Sequence, residues 1–192
     1  MITKIKKKME NKFIKNYFDR YRDALKIDVE NKLIESKNVI LNAKQNNRKI
    51  IIVGNGGSSA IASHAIVDFT KQGGVRAVNF NDPALITCFA NDYGYEKWLK
   101  KAVEFYADDG DVLIAISSSG NSENIVQAIE TANNMGLKVI TFSGFDKNNR
   151  IKQLGDVNFW LDSCAYNIVE NMHQIWLLAI CDLIIGNAEY KA

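Results

Sequence analysis

Short apolar runs and segments of helical periodicity alternate along most of this 192-residue chain. Runs that are typical of buried strands lie at 49–53, 77–80, 111–116, 138–142 and 156–161. Helical patterns lie at 60–68, 98–107, 124–135 and 168–185, and residues 84–89 are expected to form a helical turn. Because strands alternate with helices, the pattern predicts an α/β fold, a doubly wound parallel sheet of about five strands flanked by helices.

The segment before the first strand predicts one or two helices, because apolar side chains recur at helical spacing from residue 10 to residue 45. These side chains are Phe13, Tyr17, Tyr21, Leu25, Val29, Leu33, Ile34, Ile40 and Leu41. We expect a single domain over 1–192, with a helical segment at 1–45 and an α/β core at 46–192. The apolar stripe covers either the core of its own chain or a second chain.

A serine-rich turn follows the third predicted strand and opens the next helix. Four serines lie within six residues there: Ser117, Ser118, Ser119 and Ser122. Backbone N–H groups and hydroxyls at the positive end of a helix dipole bind phosphate. The turn has no basic residue, so neutral donors would hold the anion, as in sugar-phosphate sites. The alternative is a solvated loop that only caps the helix.

A second turn of the same design follows the first predicted strand. Its residues are Gly54, Asn55, Gly56, Gly57 and Ser58. It is neither a Walker loop nor a GxGxxG fingerprint, so no nucleotide cofactor is expected. Both turns would lie at carboxyl ends of strands, where open α/β sheets bind ligands.

Two histidine–carboxylate pairs are the candidates for acid–base or metal chemistry. His64 and Asp68 are four residues apart on one helical face, where they would act as base and orienter, chelate a metal, or only stabilise the helix surface. His173 follows Glu170 by three residues in a largely apolar helix. A polar pair inside such a helix is destabilising unless it is satisfied or used.

Composition excludes several classes of function. The formal charge of +2 is too small to indicate nucleic-acid binding, and no apolar run looks long enough to cross a bilayer. Cys88, Cys164 and Cys181 have no metal-binding spacing and are expected to be reduced thiols. The charged N-terminus does not resemble a signal peptide, so we expect a cytoplasmic protein.

Three segments together resemble the SIS (sugar isomerase) domain, and within it the phosphoheptose isomerases. They are 54–58 with His64, the Asn/Asp/Tyr-rich segment 91–96, and 111–122, and the resemblance spans about residues 10–186. It implies an SIS-type sheet, dimers or tetramers, and a sugar phosphate as substrate. The substrate-binding positions that it implies are Asn55, Gly56, Gly57, Ser58, Asp92, Ser117, Ser118, Ser119 and Ser122.

The same resemblance implies zinc, with His64 at the first ligand position and Asp68 at that of a glutamate that is both ligand and acid–base catalyst. The late helix departs from the family pattern, because Val169 replaces a glutamine ligand and the ungapped histidine position is Leu177. Glu170 and His173 are the residues that could supply the missing ligands of that site. The sequence is therefore compatible both with a metal-bound site and with a metal-free one.

The resulting prediction is a ketose–aldose isomerase that acts on sedoheptulose 7-phosphate or a related sugar phosphate through an enediolate. The base would be Asp68, or Glu170 with His173. One alternative is a non-catalytic SIS module that senses a sugar phosphate or serves as an assembly factor. Another is isomerisation of a different sugar phosphate for capsule or lipopolysaccharide assembly.

Overall fold

The computed structural model of the chain describes residues 2–190, with side chains from residue 6 onward. The helices in this range are α1 (Ile2–Ala24), α2 (Glu30–Gln45), α3 (Gly56–Lys71), α4 (Pro83–Tyr93), α5 (Trp98–Tyr106), α6 (Glu123–Asn134) and α7 (Tyr166–Ile185). The strands are β1 (Ile50–Gly54), β2 (Ala77–Val78), β3 (Val112–Ser117), β4 (Lys138–Ser143) and β5 (Val157–Trp160). A short 3₁₀ helix, Ile151–Gln153, precedes β5 and was not predicted.

The five strands form one parallel sheet in the order β2-β1-β3-β4-β5, which confirms the predicted doubly wound architecture. Successive residues of a strand enter different cores: Ile50 and Ile52 pack with α2, α3 and α7, whereas Ile51 and Val53 pack with α5 and α6. Both faces of the sheet are therefore covered, which is why its central strands are continuously apolar.

Helix α4 is longer than the helical turn predicted at 84–89. Asp82 caps it by accepting a hydrogen bond from the backbone N–H of Leu85 at 2.9 Å, and Pro83 occupies the first turn. The helix continues to Tyr93 and ends at Gly94, whose φ is +89°. The segment 91–96 is thus partly helical, with its first three residues in α4.

Helix α7 corrects the expectation that no apolar segment has the length to span a membrane. Its 20 residues are long and apolar enough for a span by length and composition. In the structure, however, Val169, Met172, Trp176 and Ile180 are buried in the core that α7 forms with the sheet, α2 and α3. Here the apolar composition of α7 serves the packing of the α/β core.

Candidate active site

A cavity of about 120 Å³ opens where β1 and β3 end side by side. The chain leaves β1 toward β2 on one side and returns through β3 on the other, so this is the point at which the strand order reverses. Open α/β sheets bind ligands at such a point. The lining residues are Asn55, Ser58, Ile116, Ser117, Ser118, Ser119, Ser122, Tyr166 and Glu170.

The serine turn (residues 117–122) presents its hydroxyls to this cavity. Ser117 and Ser122 are paired, with their Oγ atoms 3.3 Å apart, and Ser119 Oγ accepts a hydrogen bond from the backbone N–H of Asn121 at 3.3 Å. The buried Ser118 Oγ has no hydrogen-bond partner within the described part of the chain. A buried hydroxyl without a partner is destabilising, so a ligand oxygen would complete its hydrogen bonding.

The segment after β4 holds the serine turn in place. The backbone N–H of Gly144 donates to the carbonyl of Ser118 at 2.9 Å, and that of Ile151 donates to the carbonyl of Gly120 at 3.1 Å. Gly120 has a φ of +66°, and a Cβ at this position would overlap the Asn149 side chain. Only glycine therefore fits this corner of the turn.

The first turn brings the N-terminus of α3 to the same cavity. Gly54 allows a tight passage from β1 into α3, since a Cβ there would lie 2.7 Å from the backbone of Ser58. Gly56 begins the helix with a φ of +52° and is exposed, whereas Ser58 is buried and lines the cavity. Asn55 also lines the cavity, and Gly57 lies against Glu170, another lining residue.

Neither α3 nor α6, which both begin at the cavity, has a side-chain cap among the described residues. Asn55 and Ser122 occupy the N-cap positions of α3 and α6, and both residue types are among the best N-caps. Asp82 does cap α4 in the same chain. The uncapped N–H groups and the helix dipoles make an anion-binding site, which a phosphate would fill.

Glu170, near the start of α7, places a carboxylate at the cavity. The carboxylate packs against Gly57 so closely that a Cβ at residue 57 would overlap it. Glycine at this position therefore lets the carboxylate approach the N-terminus of α3. The half-buried Glu170 is the one carboxylate among the cavity-lining residues of the described chain.

Three further residues contact the site and are not among the predicted site residues. Tyr166, the first residue of α7, lines the mouth of the cavity. Tyr95 donates a long hydrogen bond of 3.4 Å to Asn55 Oδ1, and its place in the tyrosine-containing segment 91–96 was a signal for this. Asn124 pairs with Asn55 through two hydrogen bonds, for which the sequence has no local signal.

His64 and Asp68 form a pair outside this cavity. His64 Nε2 lies 3.1 Å from Asp68 Oδ2, and His64 Nδ1 lies 2.9 Å from Gln174 Nε2. His64 thus lies within hydrogen-bonding distance of both Asp68 and Gln174. His64 is seven residues from Gly57, or about 10 Å along α3 at 1.5 Å per residue.

The described residues do not group a full set of metal ligands around this pair. Between residues 6 and 190, no three histidine, cysteine, aspartate or glutamate side chains are arranged to hold a metal ion. Asp182 lies near Asp68, and its pKa is raised by burial and then by the charge of Asp68. The pair thus has a nitrogen and an oxygen donor but lacks the third such ligand of a catalytic zinc centre.

Asp92 does not line the cavity of its own chain. It lies exposed in the last turn of α4, where its carboxylate accepts a hydrogen bond of 2.8 Å from Asn91 and lies 3.7 Å from Cys88 Sγ. Because α4 extends to Tyr93, the side chain is held on a helix surface and not in a loop facing the ligand.

His173 is a core residue, which corrects its prediction as a catalytic group. It is fully buried, its Nε2 lies 3.0 Å from the carbonyl oxygen of Ser143, and its ring packs on Phe142 and Trp176. Burial lowers the pKa of His173 to about 4, so the imidazole is neutral at pH 7. It does not line the cavity, and it belongs to no group of three potential metal ligands among residues 6–190.

The buried neutral imidazole predicts a loss of stability in mild acid. The unfolded chain binds a proton at His173 below its ordinary pKa of 6.5, whereas the folded chain binds it only near 4. The free energy of unfolding should therefore be highest above pH 6.5 and fall by up to about 3 kcal/mol as the pH drops to 4. Urea denaturation at pH 7.5 and pH 5 should show this fall, and His173→Gln should reduce it; an equal fall in both proteins would refute the assignment.

Comparison with known proteins identifies the family. The sequence model of the SIS domain matches residues 15–144. A phosphoheptose isomerase of Helicobacter pylori (strain P12) is 33% identical over 192 residues, which cover 95% of this chain and 100% of that protein. One from Cytophaga hutchinsonii is 37% identical over 161 residues, covering 81% and 83%. This chain belongs to the SIS domain family, among the phosphoheptose isomerases.

A solved structure extends the likeness to three dimensions. The phosphoheptose isomerase of Neisseria gonorrhoeae aligns with a TM-score of 0.83 at 30% identity, over 91% of this chain and 98% of that one. The residues matched by the SIS domain model include both turns at the cavity, whereas Glu170 lies beyond them. The likeness to the Helicobacter pylori relative extends over nearly the whole chain.

Proposed function

We propose that this chain converts sedoheptulose 7-phosphate into the isomeric aldose, a heptose 7-phosphate, through an enediolate. The observation that carries the proposal is that two uncapped helix N-termini and one carboxylate meet at a single cavity. The helix N-termini suit a phosphate ester, and the carboxylate suits proton transfer between carbons. The names of the relatives support the same reaction class.

The phosphate would bind at the serine turn. The hydroxyls of Ser118 and Ser119 and the free N–H groups of α6 supply neutral donors to its oxygens. Hydrogen bonds to a charged group contribute about 1.5–3 kcal/mol each, so a few of them anchor the substrate. Binding energy at this remote group then holds the reacting carbons in place.

Glu170 is the proposed base. Its carboxylate removes a proton from C1, next to the C2 carbonyl, and the electron pair forms the C1–C2 double bond while negative charge moves to the oxygen on C2. The proton then returns to C2, the O1 proton passes to O2, and the carbonyl is left at C1. Free N–H groups at the start of α3, near Gly57, would donate to an oxygen of the anionic substrate and hold it in the ground state as well as in the transition state.

A panel of ketose phosphates tests the proposed substrate. Turnover to the aldose should be fastest with sedoheptulose 7-phosphate, and removal of the phosphate should abolish measurable turnover because the serine turn is then empty. Faster turnover of a shorter ketose phosphate would reassign the substrate. Binding of the whole panel without turnover would identify a non-catalytic sugar-phosphate module.

Zinc at His64 and Asp68 is a separate proposal, and no step above passes through a metal. The pair supplies two donors, and the amide of Gln174 lies beside them. Two strong ligands hold zinc weakly, so we expect most of the metal to be lost on dialysis. Elemental analysis before and after dialysis tests this. Stoichiometric zinc that survives dialysis and disappears in His64→Ala would mean that the assembled protein supplies another ligand.

We also propose that the chain forms a homodimer or homotetramer through α1. Large apolar side chains of α1 and the turn after it are more than half exposed: Met9, Phe13, Ile14, Phe18 and Leu25. Such a surface is typical of an interface between chains. The cavity of about 120 Å³ is also smaller than usual ligand pockets. A second chain that packed beside it would contribute further lining residues and so enlarge it.

Light scattering tests this oligomeric state. The mass should be two or four times the 21.6 kDa of one chain, and Phe13→Glu with Phe18→Glu should lower it by placing charges in the interface. A mass of one chain at micromolar concentration would contradict the proposal.

We further propose that the enzyme acts in the cytoplasm and that its product serves lipopolysaccharide or capsule assembly.

A further inference from the structure

A reciprocal pair of amide hydrogen bonds joins the two turns of the cavity. Asn55 Nδ2 donates to Asn124 Oδ1 at 2.9 Å, and Asn124 Nδ2 donates to Asn55 Oδ1 at 2.9 Å. Asn55 precedes α3 and Asn124 lies in the first turn of α6, 69 residues later in the sequence. Asn124 is buried, so this link is largely shielded from water.

The orientation of both amides follows from one backbone contact. The N–H of Ile125 can only donate, and it lies 3.0 Å from Asn124 Oδ1, which fixes that atom as the oxygen. Asn124 Nδ2 therefore points to Asn55 and requires an oxygen there. Tyr95 also approaches that oxygen, at 3.4 Å.

This pairing explains why Asn55 does not cap α3. An asparagine at the N-cap normally accepts a hydrogen bond from the N–H of the second or third helical residue, here Gly57 or Ser58. The oxygen that would do so is engaged by Asn124 instead. The N–H groups of α3 consequently stay free at the cavity.

We propose that Asn124 is a positioning residue for the reaction: it holds the Asn55 side chain away from α3 and so keeps the N-terminus of that helix open for the anionic substrate. It also fixes the distance between the N-termini of α3 and α6. The inference rests on the proposed function of the cavity. It assigns no contact with the substrate to Asn124 itself.

The variant Asn124→Ala should release Asn55 to cap α3 and compete with the substrate. KM should rise about tenfold, as expected for one lost or blocked charge-assisted hydrogen bond, while kcat changes less than twofold. The new cap partly compensates for the lost pair, so Tm should change little. Asn133→Ala removes an amide from the exposed face of α6 and is the matched control.

A double-mutant cycle with Asn55→Ala separates positioning from a structural role. If Asn124 acts through Asn55, then Asn124→Ala should cause no further rise of KM in the Asn55→Ala background. An equal rise in both backgrounds, an unchanged KM in the single variant, or a fall in kcat alone would overturn the inference. Asn124→Ser, which is smaller and tolerated near helix starts, replaces the alanine variant if that protein does not fold.

The same cycle measured by calorimetry with inorganic phosphate needs no turnover. The dissociation constant should rise for Asn124→Ala only when Asn55 is present. If the wild-type protein turns over no ketose phosphate but shows this coupling, the proposed function fails while the positioning role stands. If the wild-type protein turns over its substrate and the coupling is absent, the positioning role fails alone.

Discussion

The Glu170→Gln variant should isomerise sedoheptulose 7-phosphate at least about 100-fold more slowly than the wild-type protein, with KM nearly unchanged. General-base catalysis contributes roughly 10²–10⁴-fold, and a glutamine amide cannot accept the C1 proton. The substitution preserves the size of a side chain that packs against Gly57, so binding should survive. Steady-state kinetics with a coupled assay for the aldose product gives both constants.

Two comparison variants make this result specific. Glu104→Gln changes the same functional group on the surface of α5, outside the residues that line the cavity, and should leave kcat within twofold. Asp68→Asn tests the other predicted base, and we expect a smaller effect because Asp68 lies outside the cavity. Loss of turnover in Asp68→Asn with retention in Glu170→Gln would transfer the role of base to Asp68.

The double variant Ser118→Ala with Ser119→Ala should weaken binding of sedoheptulose 7-phosphate by about 3 kcal/mol, or about 100-fold in Kd. Each hydroxyl is expected to donate to a charged phosphate oxygen, and such bonds contribute about 1.5–3 kcal/mol. Ser118 Oγ lacks a partner among residues 6–190, whereas Ser119 Oγ accepts a long hydrogen bond from the Asn121 N–H, so the double variant breaks one weak internal hydrogen bond. Calorimetry with the phosphorylated ketose measures the change.

Ser36→Ala is the matched control for this double variant. Ser36 Oγ is likewise buried without a partner in the described chain, but it lies in α2 and does not line the cavity. Its removal should leave Kd unchanged. An unchanged Kd in the double serine variant as well would exclude the serine turn as the phosphate site.

Most of the sheet could be predicted from the sequence because strands covered on both faces are continuously apolar. The full length of α4 was not predicted, because none of its residues is buried. A helix without a buried face need not show the apolar periodicity that marks the other helices. The start of α4 was signalled locally by Asp82 and Pro83, a cap followed by a favoured first helical residue.

The parts of the site that come directly after a strand could be predicted from the sequence. The contacts between segments that are distant in the sequence could not. The turns after β1 and β3 had to converge once the strands were parallel neighbours. The pairing of Asn55 with Asn124 depends on side-chain geometry that no local pattern contains. His173 follows Glu170 by three residues, which suits an acid–base pair, but its side chain points from α7 into the core, a direction that the spacing does not reveal.

The crystal structure of Glu170→Gln with sedoheptulose 7-phosphate bound tests the central claim most directly, because this variant should bind substrate without consuming it. The account predicts the phosphate against Ser118 and Ser119 at the start of α6, with C1 or C2 about 3 Å from the side chain of residue 170. A phosphate bound elsewhere, or reacting carbons beside His64 and Asp68 instead, would contradict it.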